Sequence, residues 1–119
     1  MKNEHLPIFK AALDLCLYAD LIVKNQERYY RYTIGSHLRD DSTKMLFLIN
    51  RANRAKDAKR VEILKQLVEK CEDFKTMVIL AKELNALKGF KQFEHCSKLA
   101  VNVCRQAQAW LNSSAGISR

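Results

Sequence analysis

Apolar residues recur at three- and four-residue intervals along most of the chain, the period of a helix with one buried face. The pattern predicts a first helix over residues 6–24, with Pro7 in its first turn, where a missing N–H costs nothing. Polar residues there are confined to a narrow stripe, Lys10, Asp14, Asp20 and Lys24, and almost every other position is apolar. One bundle core covers one stripe, so this helix is either central or also faces another subunit. Residues 25–32 are polar and aromatic and read as a connection. A second helix is expected from about residue 33 to residue 56, with Ile34, Leu38, Met45, Ile49 and Ala52 inward. A third follows over residues 58–88, with Asp57 as its candidate cap and Gly89 as its stop. Its expected seam is Val61, Leu64, Val68, Cys71, Phe74, Val78, Ala81 and Leu84. A fourth spans 90–112, with Phe93, Cys96, Ala100, Val103, Ala107 and Trp110 inward, and residues 113–119 form a terminal tail. Four such segments predict an all-α fold: an antiparallel up-down four-helix bundle, a single domain over residues 1–119, about 30–40 Å long.

Composition narrows the class. The chain has 119 residues, 48% apolar and 29% charged, which excludes a disordered chain. Three Gly and one Pro are too few for an all-β fold built on tight turns. The longest apolar run, Leu15 to Ala19, falls far short of the roughly 20 residues a membrane span needs. No secretory signal is visible either, so a soluble cytoplasmic protein is expected.

Charge is unevenly spread. The formal net charge is +8, but residues 1–42 are neutral overall. Lys44, Arg51, Arg54, Lys56, Lys59 and Arg60 are opposed by Asp57 alone between residues 43 and 60. Residues 88–119 carry the rest of the excess, including Lys91, Lys98 and Arg105, which recur every seven residues and so share one helix face. Lys75 and Lys82 make a similar pair on the third helix. Such a surface suits a polyanion, to which stripes of cations bind through phosphates with little sequence preference. Net charge that keeps a protein dispersed is the plainer alternative.

Chemistry is hard to find. Cys16, Cys71, Cys96 and Cys104 lack the close pairing of a structural zinc site and fall on apolar helical positions, as reduced thiols do. None of the seven Glu residues has His three positions on, as a di-metal carboxylate bundle requires, and the three His are scattered. Gly35, Gly89 and Gly116 are isolated, so no phosphate loop exists. The chain is expected not to be an enzyme and to carry no cofactor or metal.

Three stretches also carry a family resemblance. They are Arg31-Tyr32-Thr33-Ile34-Gly35, Ile49-x-x-Ala52 running into the basic turn, and the C-terminal Arg105-Gln106-Ala107-Gln108-Ala109-Trp110-Leu111. Their order and spacing resemble the four-helix-bundle family of the accessory variability determinant of diversity-generating retroelements. The proteins encoded by intervening sequences in bacterial large-subunit ribosomal RNA genes fall in the same family. The resemblance implies a ring-shaped homopentamer that binds nucleic acid, RNA or DNA, and a reverse transcriptase during mutagenic copying of template RNA into cDNA. The candidate phosphate contacts are Arg51, Arg54, Lys56, Lys59, Arg60, Lys75, Lys82, Lys91, Lys98 and Arg105. Leu17 and Leu21, on the crowded first helix, are the candidate subunit contact. The ribosomal branch stands as the alternative, a structural or interaction protein without a retroelement role.

Overall fold

The structure is a computed structural model and describes residues 6–116; Lys2, His5 and the last three positions of the expected tail lie outside that range. The described residues form four long helices and one short one: α1 Pro7–Lys24, α2 Arg28–Arg31, α3 Ile34–Arg54, α4 Asp57–Glu83 and α5 Phe90–Ser114. The long helices pack α1 on α3, α3 on α4, α4 on α5 and α5 back on α1, which makes α1–α4 and α3–α5 the diagonals of the bundle. The body measures 44 × 27 × 20 Å.

One core runs the length of the bundle. On α3 the expected inward residues Ile34, Leu38, Met45, Ile49 and Ala52 are all buried, joined by Leu48. On α5, Cys96, Ala100, Val103 and Ala107 are buried as expected, whereas Phe93 and Trp110 are only half-covered. On α4 the seam is rotated from the expected one. Ile63 and Leu67 are buried beside Leu64, Cys71, Phe74, Val78 and Ala81, while Val61 and Val68 are half-buried and Leu84 is exposed. Apolar side chains surround the first turns of α4, so periodicity alone does not choose among them; packing between α3 and α5 does.

The helix ends differ from expectation for local reasons. α4 stops at Glu83, several residues before Gly89. Asn85 there adopts φ +59, the Asn85 N–H bonds to the Lys82 carbonyl and the Ala86 N–H to the Ala81 carbonyl. That pair of bonds satisfies carbonyls the helix leaves open, with Asn in the left-handed position that Gly more often fills. Gly89 instead precedes α5, at φ +85. Asp57 is the first residue of α4 rather than its cap, a position that Lys56 takes without a side-chain hydrogen bond; Asp57 supplies φ +53 at the tight reversal between α3 and α4. At the C-terminus, Ser113 and Ser114 remain helical.

The connection after α1 is ordered by buried and half-buried side chains. Gln26 is buried, and its Nε2 donates to the Ala86 carbonyl at 3.0 Å. The Tyr30 hydroxyl donates to the Leu84 carbonyl at 2.8 Å. Gly35 is required beneath them, because a Cβ there would meet the Gln26 side chain, the Tyr30 carbonyl at 3.0 Å and Val23 at 3.1 Å.

Candidate nucleic-acid interface

The chain reversal between α3 and α4 concentrates the expected cations at one end of the bundle. Arg51 and Arg54 occupy the last turn of α3, where positive charge complements the helix dipole. Lys56 and Lys59 follow at the reversal, and all four side chains are exposed. Arg51, Arg54 and Lys56 make no ion pair among the described residues; Lys59 approaches Glu62 at 3.9 Å, with both side chains largely solvated. An exposed pair of that kind contributes little and yields readily to a phosphate. Lys44 and Arg51 also line a groove of about 370 Å³ between α3 and α4, with Phe47, Gln66, Glu69 and Lys70.

Arg60 stands apart from its neighbours. Its Nε donates to the Ala52 carbonyl at 2.9 Å and its Nη2 to the Asn53 carbonyl at 3.2 Å, so it closes the open C-terminal end of α3. Lys75 and Lys82 are also engaged. Lys75 pairs with Glu72 at 3.1 Å, and that carboxylate holds its ammonium above the usual range. Lys82 lies 5.0 Å from the Phe93 ring centroid and 3.7 Å from Glu83.

Lys91, Lys98 and Arg105 form an exposed stripe along the outward side of α5, with no ion pair among the described residues. Because α3 and α5 are diagonal partners, this stripe and the α3–α4 turn look out from different sides of one bundle. Leu17 and Leu21 point to solvent at 62% and 50% exposure, flanked by the Lys10–Asp14 and Lys24–Asp20 ion pairs.

One further cluster lies in a stretch of the sequence that is neutral overall. Arg28, Tyr29, Arg31 and Tyr32, read as a connection, stand exposed at the end of the bundle opposite the α3–α4 turn. Its signal in the sequence is the run Arg-Tyr-Tyr-Arg-Tyr, two cations among three aromatic rings, in residues 28–32.

The thiols are free and mostly buried. Burial pushes Cys96 up to about 12 and raises Cys16 as well. Among the described residues, no three His, Cys, Asp or Glu side chains are placed to hold a metal ion, and no helix is long and apolar enough to cross a membrane. No family model, curated protein or solved structure matches this chain.

Proposed function

We propose that this protein is a non-enzymatic, nucleic-acid-binding accessory factor that works beside a reverse transcriptase in a diversity-generating retroelement of the cytoplasm. It contacts RNA or DNA through phosphates and assembles as a ring of identical subunits, five by the resemblance. The observation that carries this reading is the set of cations with no internal partner. Arg51 and Arg54 at the end of α3, Lys56 at the turn, and Lys91, Lys98 and Arg105 on α5 hold exposed positive charge with no carboxylate paired to it among the described residues. Two such surfaces on different sides of one subunit suit a ring, in which repetition joins modest patches into a continuous basic track.

The polymerase chemistry resides in the partner. Co-purification with a reverse transcriptase encoded beside this gene, and cDNA synthesis with and without this protein, test the reading. A stable complex and stimulated synthesis are expected. The absence of both would leave the ribosomal-gene alternative, a structural or interaction role.

A further inference from the structure

The three tyrosines of residues 28–32 have different surroundings. Tyr30 is half-buried and spends its hydroxyl on the Leu84 carbonyl, which fastens α2 to the end of α4. Tyr29 and Tyr32 are the most exposed large hydrophobic residues among those described, at 73% and 69%, and neither hydroxyl has a hydrogen-bond partner among the described residues. The fold does not need their rings.

Those rings are nevertheless held in place. The Thr33 hydroxyl donates to the Tyr29 carbonyl at 2.8 Å, and Arg31 reaches the Gln26 carbonyl at 3.4 Å. Tyr29 meets the Tyr30 ring edge-on, with centroids 5.4 Å apart. The Arg28 guanidinium lies 5.9 Å from the Tyr32 centroid. Tyr29 lies within α2 and Tyr32 caps its C-terminal end three residues on, so both rings stand on one short, anchored element.

Charge selects the ligand. Around the rings, Arg28 and Arg31 make no ion pair among the described residues and Glu27 is the one acid within residues 27–32, while Lys24 and Arg39 nearby pair with Asp20. Ordered aromatic faces interleaved with guanidinium groups bind unpaired bases by stacking and the intervening phosphates by charge, whatever the sequence. Tyr and Arg are favoured at protein interfaces too, so it is the guanidinium charge beside the ring faces that selects a polyanion with free bases.

We infer that Arg28, Tyr29, Arg31 and Tyr32 form a stacking site for the unpaired bases of single-stranded nucleic acid, at the end of the bundle away from the phosphate-binding turn. The inference rests on the nucleic-acid reading and adds to it a strand preference that phosphate contacts alone do not supply. Duplex bases are already stacked and offer the rings no free face.

The test is fluorescence anisotropy with labelled thymidylate and uridylate homopolymers and a duplex, using the full chain. The Tyr29→Ala/Tyr32→Ala double variant is expected to lose about tenfold or more in affinity for both single strands. Its duplex affinity should stay unchanged. Tyr29→Phe/Tyr32→Phe should bind single strands like the parent, because the ring faces remain. Both positions are exposed, so circular dichroism should show retained helix in each variant.

Equal losses on duplex and single strand, or no loss on either, would overturn the stacking site while leaving phosphate binding intact. A Phe variant as weak as the Ala variant would overturn it too. Unchanged single-strand binding with loss of a polymerase complex would assign the surface to a protein instead. A parent protein that binds neither duplex nor single strand would sink this inference together with the broader reading.

Discussion

The guanidinium of Arg60 lies 5.8 Å from the centroid of the Trp110 ring while its nitrogens hold the last carbonyls of α3. One side chain from the first turn of α4 thereby joins α3 and α5, two helices that otherwise sit on a diagonal. Arg60 belongs to a basic run in the sequence, but its donors are committed to the fold.

Arg60→Ala is therefore expected to cost about 1–3 kcal/mol of stability by leaving half-buried carbonyls short of a donor. In urea denaturation a double-mutant cycle with Trp110→Ala should show coupling of about 0.5–1 kcal/mol. Strict additivity would remove the contact from the account.

Exposed cations should behave in the opposite way. Arg51→Ala/Arg54→Ala/Lys59→Ala is expected to weaken binding to all nucleic acids and to flatten the salt dependence, with stability unchanged. Each lost phosphate contact should reduce the logarithmic salt slope by about 0.7–0.9. Lys10→Ala/Lys24→Ala, on the neutral first segment, is the control. If both sets weaken binding alike, diffuse net charge explains it and the turn is not a site.

Assembly is the third expectation. Leu17 and Leu21 present apolar surface on the side of α1 that the core does not use. Light scattering at physiological salt should report an oligomer, and Leu17→Glu/Leu21→Glu should reduce it to subunits without loss of helix. A parent that runs as a 13.8 kDa monomer would end the ring proposal.

Alkaline pH provides a fourth test. The Cys96 thiol is raised by burial from 9.0 to about 12, so between those values the unfolded chain loses a proton that the folded chain keeps. Its stabilising contribution is complete below the unfolded value and is lost as pH rises toward the folded one, by up to about 1.4 kcal/mol per pH unit. Cys16, raised in the same direction by burial, adds to the fall, whereas Cys71 and Cys104 share a hydrogen bond that raises one thiol and lowers the other. Urea midpoints measured at rising alkaline pH should drop less steeply in Cys96→Ala than in the parent. Identical slopes would show that Cys96 is not the group responsible.

Much of this architecture follows from the chain's own periodicity. Ile34, Leu38, Met45, Ile49 and Ala52 mark the buried face of α3 because they advance by three, four or seven residues, whole turns of a helix. The excess of apolar surface on α1 was legible in the same way, and Leu17 and Leu21 are where it emerges. Net charge and its concentration near residues 51–60 and 88–105 were equally plain, since formal charge is read residue by residue without knowing the fold.

Tertiary structure decided what periodicity left degenerate. On α4, Val61, Ile63, Leu64, Leu67 and Val68 are all apolar, and only the positions of α3 and α5 select Ile63 and Leu67 over Val61 and Val68. The end of α4 depends on Asn85 taking a left-handed conformation and on Gln26 bonding to Ala86 from 60 residues away, a contact invisible to local pattern. Likewise, a row of basic letters does not distinguish Arg60, folded onto Trp110 and the end of α3, from Arg51 and Arg54 beside it. The sequence determined which residues carry charge or avoid water; the three-dimensional packing determined which of those charges have partners, because partners come from distant parts of the chain.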